Sequence, residues 1–346
     1  MCGVDSLFLY SLLHPYFVCL VARLFLPYNT ETMAEEKKKL STEAYKGVRD
    51  FYPEDMAVQN YIFSTWKKVC EEFCYQEYAS SLLEPAELYR SKGSDEIVNE
   101  QMFTFIDRGE REVALRPEMT PSLARMVAAK RRSLKFPLRW YTIANCFRYE
   151  RPQRGRKREH WQLNADVMGI AGVEAEIEII SLAHKIMKEF GARDEDYVIK
   201  IGSRNALTQQ LVKRNVAPEH HKKIAQLIDK KDKIPEEERM AELQKLGGDI
   251  EVTESDDIAT IRKTLSERGV TNTVFDAEIV RGFDYYTGMV FEVFDTNPEN
   301  RRSIFGGGRY DNLLEMFGVD PVPTVGFGMG DVTIRDFLET HKLKLS

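Results

Sequence analysis

The sequence predicts an α+β fold in which a mainly antiparallel sheet is flanked by helices, and three observations support this class. The apolar stretches WYTIANCF and VMGIAG flank a polar loop, which predicts a hairpin. Residues 173–191 have the apolar spacing of a helix. Residues 206–268 are rich in charge, have the apolar spacing of helices and contain no candidate binding or catalytic residues, which predicts a helical insertion. Since hairpins join antiparallel strands, we expect the sheet to be largely antiparallel.

The segment RGFDYYTG, Arg281 to Gly288, is the strongest candidate for a binding site. It places one cation, one carboxylate and two phenols ahead of the apolar run MVFEVF, which predicts a strand. Such polar groups are costly to bury unless they bind a ligand or one another. The alternative is a salt-bridged hairpin edge without a ligand.

A second candidate is the loop that begins at FRYE, Phe147 to Glu150. Six cations lie among the eleven residues 148–158, and Pro152 and Gly155 disfavour a helix there. The planar fork of arginine binds phosphate oxygens in pairs, so this hairpin tip can fold over a polyphosphate. A solvated basic loop is the alternative when such a run stands alone.

Together these segments resemble the histidyl-tRNA synthetases. RGFDYYTG resembles their histidine-specific motif, and FRYE resembles motif 2 of class II aminoacyl-tRNA synthetases. LRPEMT, residues 115–120, and the glycine-rich FGGGRYDNLL, residues 305–314, follow the same family order, and the resemblance covers about residues 44–340. It implies that the chain activates L-histidine with ATP to histidyl-adenylate and transfers it to tRNA(His).

The resemblance also assigns roles to single residues. Glu118, Thr120 and Gln162 are expected to bind the α-ammonium group of histidine, and Asp166 faces the imidazole. The histidine-binding set is Glu118, Thr120, Gln162, Asp166, Tyr285 and Tyr286. The ATP-binding set is Arg148, Glu150, Arg156, His160, Arg281 and Arg335, in which Arg148 and Arg281 are the catalytic pair that neutralises the α-phosphate. ATP with Mg²⁺ is expected as a substrate complex, with no tightly bound cofactor and no protein-bound metal.

The chain departs from the family pattern at several positions. Thr333 stands where motif 3 has an arginine, and Arg335 lies two residues later. Ser81 stands where motif 1 has a proline. His160 replaces an aromatic residue that stacks on adenine, which an imidazole ring can also do. The resemblance still implies a homodimer, and it implies a cytoplasmic protein without a membrane anchor.

The predicted organisation has four parts. Residues 1–40 are expected to be an N-terminal extension that is disordered or artefactual, 41–204 the first part of the catalytic core, 205–270 the helical insertion, and 271–346 the second part of the core. The chain ends at Ser346, where the family continues into an anticodon-binding domain. We therefore keep three alternatives: an isolated catalytic core, a natural truncation, or the family's non-catalytic relative, the regulatory subunit of ATP phosphoribosyltransferase.

Composition agrees with a large globular enzyme. The chain has 346 residues, of which 43% are hydrophobic, and a formal net charge of −6, so contacts with tRNA must come from local basic patches. Its five cysteines show no metal-ligand or disulfide spacing; Cys70 and Cys74 are expected on one helix in the core. Residues 7–26 are almost wholly apolar but contain His14, Pro15 and Arg23, which disfavours a membrane anchor.

Overall fold

The computed structural model describes residues 40–91, 97–229, 234–248, 253–279, 285–300 and 302–345. The chain divides into Met1–Glu43 and a compact unit, Ala44–Ser346. The predicted extension up to residue 39 lies outside the described residues, and so do Arg281 and Asp284 of the RGFDYYTG segment.

Nine α-helices are seen in the described part of the chain. They are α1 (Pro53–Glu72), α2 (Ala86–Arg90), α3 (Thr120–Lys130), α4 (Glu174–Glu189), α5 (Arg204–Lys213), α6 (Pro218–Asp229), α7 (Glu236–Lys245), α8 (Asp256–Glu267) and α9 (Asp331–Thr340). Helix α1 begins with proline and carries Glu54 and Asp55 in its first turn. Proline fits the first helical position because its missing N–H would have no partner there, and acidic side chains complement the positive end of the helix dipole.

The strands form one large sheet and one small sheet. They are β1 (Gln76–Glu77), β2 (Leu83–Pro85), β3 (Phe103–Ile106), β4 (Glu112–Leu115), β5 (Leu138–Phe147), β6 (Glu159–Met168), β7 (Tyr197–Ser203), β8 (Thr273–Phe275), β9 (Met289–Asp295), β10 (Ser303–Arg309) and β11 (Thr324–Gly330). The large sheet has the order β1-β5-β6-β11-β10-β9-β7-β8, and β2-β4-β3 form the small one. Only β1 with β5 and β7 with β8 pair in parallel among the described strands. This confirms the α+β prediction with a mainly antiparallel sheet.

The β5–β6 hairpin carries the basic loop, as predicted, but its second strand lies earlier than expected. Strand β6 begins at Glu159, directly after the loop, and ends at Met168. The stretch VMGIAG contributes only its first two residues to the strand, because Gly169 turns the chain with φ 96°. The apolar pattern misplaced the strand because β6 alternates polar and apolar residues rather than being apolar throughout.

One face of the large sheet packs against four helices and forms the main hydrophobic core. Residues of α1, α4, α8 and α9 contribute to it together with side chains from β6, β7 and β9. Trp66 on α1 and Phe291 on β9 are fully buried in this core. Burying a large apolar side chain stabilises a fold by about 1.5–3 kcal/mol, so this layer holds the sheet in place. The opposite face carries α3 and the candidate site.

The predicted helical insertion contains two kinds of helix. Helices α5, α6 and α7 share a small apolar cluster of their own, which includes Leu211, Ile224 and Leu243. Helix α8 instead buries Ile258, Ile261 and Leu265 in the main core. Helices α6, α7 and α8 fall within the charged stretch predicted from sequence, whereas α5 begins at Arg204, just before it. The domain boundaries at 205 and 270 stay a prediction.

The cysteine prediction was wrong for one residue. Cys70 is buried on α1, but the helix ends at Glu72, and Cys74 is exposed with φ 63° in the following turn. The left-handed conformation at Cys74 is one that few residues other than glycine adopt, and the helical spacing alone could not reveal it.

None of the described helices is long and apolar enough to cross a bilayer. The apolar stretch at residues 7–26 lies outside the described residues.

Candidate active site

A cavity of about 1360 Å³ lies over the face of the large sheet that α3 shares. Strands β6, β9, β10 and β11 contribute to its wall, and the basic loop 148–158 borders it. Ten of the predicted site residues line it: Glu118, Thr120, Arg148, Glu150, Arg156, His160, Gln162, Asp166, Tyr285 and Tyr286. Segments that are far apart in the sequence therefore meet in one place.

The floor of this cavity is made of glycine. On β11, Gly326, Gly328 and Gly330 pair with Asp166, Asn164 and Gln162 of β6. A Cβ atom on Gly326 would lie 1.9 Å from Asp166 Oδ1, and one on Gly328 would lie 2.3 Å from Gln162 Nε2. These glycines thus leave the room in which the polar side chains of β6 lie over the neighbouring strand.

Strand β6 has two chemically different faces because its side chains alternate. His160, Gln162, Asn164 and Asp166 line the cavity. The intervening Leu163, Ala165 and Val167 are fully buried in the main core. One strand thereby supplies a row of hydrogen-bonding groups to the cavity while its other face anchors the sheet.

Glu118 is a buried carboxylate at one end of the cavity, with 2% of its surface exposed. Tyr285 donates a hydrogen bond of 3.1 Å to Glu118 Oε2, whereas Glu118 Oε1 finds no hydrogen-bond partner among the described residues. Burial raises the pKa of Glu118, and the nearby Arg148 opposes this change. A buried carboxylate oxygen without a partner fits a cationic donor such as an ammonium group.

Asp166 is the second buried carboxylate, also 2% exposed. Tyr310 donates a hydrogen bond to Asp166 Oδ1, and Asp166 Oδ2 finds no partner among the described residues. Burial raises the pKa of Asp166 to about 7, against the lowering effect of the Tyr310 hydrogen bond. Tyr286, the phenol expected to share the imidazole with Asp166, is buried, with its ring 6.5 Å from that of Tyr310.

The basic loop contributes cations to the cavity wall. Arg148 is held by a hydrogen bond of 2.9 Å from Nε to the carbonyl oxygen of Pro117, next to Glu118. Arg156 Nη1 lies 3.1 Å from Glu150 Oε2. The loop cations that line the cavity are Arg148, Arg154, Arg156 and Lys157. Their density suits an anionic ligand, since guanidinium groups bind phosphate in pairs of hydrogen bonds.

His160 lies on β6 between this loop and the polar row. Burial, together with the positive charges of Arg148 and Arg49, lowers the pKa of His160 to about 3. The ring is therefore neutral between pH 5 and 8 and presents an uncharged aromatic face to the cavity.

Two of the predicted ATP-binding residues are not among the residues seen to line the cavity. Arg281 lies outside the described residues. Arg335 on α9 donates to Glu339 Oε1 at 2.8 Å and to Asp55 Oδ1 at 3.2 Å, whereas Thr333 on the same helix lines the cavity. Thr333 Oγ1 donates to the carbonyl oxygen of Ile304 at 2.7 Å.

The sequence interpretation missed several residues of the site. Asn164 and Tyr310 line the cavity but were not selected, nor were the glycines of β11. Two period-2 patterns could have found most of them. Polar residues alternate with apolar ones in HWQLNAD, and glycine alternates with apolar residues in GFGMG. No comparable pattern marks Tyr310.

Comparisons with known proteins agree with this geometry. Residues 47–254 and 235–331 match the family model described as histidyl-tRNA synthetase. A histidine–tRNA ligase of Leptospira biflexa is 43% identical over 334 residues, which cover 89% of this chain and 76% of that protein. A chloroplastic/mitochondrial histidine–tRNA ligase of Arabidopsis thaliana is 40% identical, covering 88% of this chain and 68% of that protein.

Solved structures show the same fold. Histidyl-tRNA synthetase from Nostoc sp. PCC 7120 has a TM-score of 0.73 at 22% identity, covering 89% of this chain and 78% of that one. A protein of Bacillus halodurans, described as an ATP phosphoribosyltransferase regulatory subunit/histidyl-tRNA synthetase, has a TM-score of 0.71 at 22% identity over 86% of this chain and 84% of that one.

The mostly antiparallel sheet, with its basic hairpin beside a glycine floor, is a fold of the class II synthetase type. The match to the family model and to relatives of 40% and 43% identity is more specific than the fold. The chain belongs to the histidyl-tRNA synthetase family.

Proposed function

We propose that this chain is a histidine–tRNA ligase, which activates L-histidine with ATP and transfers it to tRNA(His). One observation carries the proposal. Glu118 and Asp166 are buried carboxylates in one cavity, and each has an oxygen without a partner among the described residues. Histidine carries an ammonium group and a ring N–H, which are the two donors that such oxygens require.

Histidine binding follows from this pair. The α-ammonium group binds Glu118 with help from Thr120 and Gln162, and the imidazole lies against Asp166 and Tyr286. Tyr285 holds Glu118 in place by its hydrogen bond. Because these polar groups are buried, an analogue that lacks the ring N–H leaves an acceptor unpaired and is rejected strongly.

ATP binding uses the other part of the cavity. Glu150 receives the adenine amino group, the ring of His160 stacks on the base, and Arg156 binds the γ-phosphate after leaving its ion pair with Glu150. ATP enters as its Mg²⁺ complex, in which the metal neutralises the β- and γ-phosphates. Arg335 contributes only if its bonds to Asp55 and Glu339 open, so its role stays a prediction.

The reaction joins two anions, and positioning and charge stabilisation account for the catalysis. A carboxylate oxygen of histidine attacks the α-phosphorus, the bond to the β-phosphate bridging oxygen breaks, and pyrophosphate leaves. Arg148 and Arg281 neutralise the reacting groups from two sides. The terminal hydroxyl of tRNA then attacks the acyl carbon, and AMP leaves. Burial raises the pKa of the Cys70 and Cys146 thiols, so neither is activated as the nucleophile of a covalent protein intermediate.

A homodimer is the proposed assembly. The small sheet exposes large apolar side chains: Leu83 on β2 is 45% exposed, and Phe105 and Ile106 on β3 are 48% and 63% exposed. An exposed apolar edge of this kind is typical of an interface. Sedimentation of the wild type and of Ile106→Asp tests it: we expect a dimer that the aspartate weakens, and a wild-type monomer at micromolar concentration would contradict the proposal.

We place the protein in the cytoplasm, as expected for a family member with free Cys70 and Cys146.

Histidine-dependent exchange of labelled pyrophosphate into ATP tests the function. We expect exchange that requires histidine and Mg²⁺, followed by charging of tRNA(His) in a separate assay. Histidine binding without any exchange would instead support the alternative, a histidine-binding regulatory subunit of ATP phosphoribosyltransferase. The relatives of Leptospira biflexa and Arabidopsis thaliana do not favour that alternative, since both are histidine–tRNA ligases.

A further inference from the structure

Tyr310 and Asp166 meet across an intervening strand. Asp166 lies on β6 and Tyr310 directly follows β10, while β11 runs between these two strands. The backbone N–H of Tyr310 donates to the carbonyl oxygen of Thr324 at 2.8 Å, which fixes where its side chain starts. The phenol then reaches Asp166 Oδ1.

Glycine makes this meeting possible. In the row of paired residues, Gly308 of β10 lies opposite Gly326 of β11, which lies opposite Asp166. A Cβ atom on Gly326 would overlap Asp166 Oδ1 at 1.9 Å. Two consecutive positions of the row thus carry no side chain. Asp166 fills the space at Gly326, and a Cβ on Gly308 would meet Met289 O at 2.6 Å, Val290 Cγ1 at 2.9 Å and Tyr286 Cδ1 at 3.0 Å.

The phenol cluster around Asp166 is closely packed. Tyr310 is 3% exposed, and its ring lies edge-to-face with that of Tyr285 at 5.6 Å. Such packing leaves Tyr310 little freedom to choose another hydrogen-bond partner. Its contact with Asp166 therefore selects which oxygen of the carboxylate is occupied and which remains free.

We propose that Tyr310 is a positioning residue for side-chain recognition: its hydroxyl holds Asp166 Oδ1, so that Oδ2 is presented to the ring N–H of the substrate. The inference rests on the proposed histidine specificity. Tyr310 itself acts through Asp166. Loss of the Tyr310 hydroxyl should weaken the binding of histidine without weakening the binding of ATP, because its contact with Asp166 is local to one end of the cavity.

The inference also predicts how histidine affinity depends on pH. The ring N–H needs a carboxylate acceptor, and burial raises the pKa of Asp166 to about 7, so affinity should fall as the pH drops below that value. Removing the hydroxyl of Tyr310 raises this pKa further and moves the midpoint to higher pH. Among the described residues, the phenols of Tyr78 and Tyr75 also interact electrostatically with Asp166, and both have a pKa raised by burial, so they stay neutral in this range.

The test compares Tyr310→Phe with the wild type by calorimetric titration of histidine without ATP from pH 6 to 9. We expect Tyr310→Phe to bind histidine about tenfold more weakly at pH 8. The midpoint of the curve of histidine affinity against pH should move to higher pH. The KM for ATP in pyrophosphate exchange should be unchanged. Tyr197→Phe is the matched control, because this buried phenol bonds His184 Nδ1 at 2.8 Å on the opposite face of the sheet.

A double-mutant cycle separates positioning from general loss of structure. In the Asp166→Ala background, Tyr310→Phe should have almost no further effect on histidine affinity. Additive effects, equal effects on histidine and ATP, or a loss that Tyr197→Phe reproduces would each overturn the inference. A wild type that does not bind histidine would overturn the proposed function itself, so the two failures are distinguishable.

Discussion

Asp166 and Gly326 face each other across β6 and β11, and the carboxylate occupies the space where any other residue at position 326 would place its Cβ atom. In the proposed function, the glycine contributes to recognition of the substrate side chain because it leaves the space that Asp166 occupies. This arrangement ties the sequence pattern GFGMG to the chemistry of the cavity.

Gly326→Ala should displace Asp166 and break its hydrogen bond with Tyr310. We expect a stability loss of about 1–3 kcal/mol from overpacking, with histidine affinity reduced more than ATP affinity. Chemical denaturation and the two KM values in pyrophosphate exchange measure these effects. Gly109→Ala, in an exposed turn where a Cβ meets only flexible side chains at 3.3 Å or more, is the control. Unchanged histidine affinity in a folded Gly326→Ala protein would contradict the assignment of this space.

Asp166 should also make stability depend on pH. Burial raises its pKa from 3.8 to about 7, so between about pH 4 and 7 the folded state holds a proton that the unfolded state has released. This contribution to stability is fully present below pH 4 and is lost as the pH rises through 7. The shift corresponds to at most about 4 kcal/mol.

Asp166→Asn removes that contribution, so the difference in unfolding free energy between this variant and the wild type should change in favour of the variant as the pH rises from 5 to 7, and it should level off above pH 7. Urea denaturation at several pH values measures it, and all other titrating groups cancel in the difference. Parallel curves for the two proteins would show that Asp166 is not a buried titrating carboxylate.

Part of this site could be predicted from the sequence and part could not. Glu118, Arg148 and Asp166 could be predicted because they lie in or near segments that follow the family's motifs in the same order along the chain. The structure brings all three to one cavity. Tyr310 was missed because its contact with Asp166 depends on the register of β6, β11 and β10, which no local pattern contains. The strand β6 was misplaced for a different reason: its cavity-facing residues are polar, so the strand lacks the continuous apolar run from which it was predicted.

The position of Arg335 illustrates the same limit. Its distance in sequence from Thr333 left open whether it could reach the nucleotide. The helix that begins at Asp331 places Arg335 beside Glu339 one turn later, and the packing of α9 on α1 brings it to Asp55. The contact between α1 and α9, which are distant in sequence, could not be predicted from the residues of motif 3.

His160 should bind adenine as a neutral ring. Because burial and two nearby arginines lower its pKa to about 3, it carries no charge between pH 5 and 8. His160→Phe should therefore keep the KM for ATP within a few fold, whereas His160→Ala should raise it about tenfold, as expected when one base-stacking contact is lost. Pyrophosphate exchange at varied ATP concentration measures both. A large loss in His160→Phe would show that hydrogen bonding by the ring, rather than stacking, is what ATP requires.

Arg281 is the cation expected to neutralise the α-phosphate from the side opposite Arg148. If it stabilises the charge that develops as the histidine carboxylate attacks, Arg281→Ala should lower the rate of adenylate formation by at least about a hundredfold while the fold persists. Single-turnover adenylation with saturating histidine and ATP measures the rate of this step. Arg268→Ala, an exposed arginine at the end of α8, is the matched control and should react like the wild type. An unchanged rate in Arg281→Ala would remove this residue from the reaction and leave Arg148 as the sole proposed protein cation at the α-phosphate.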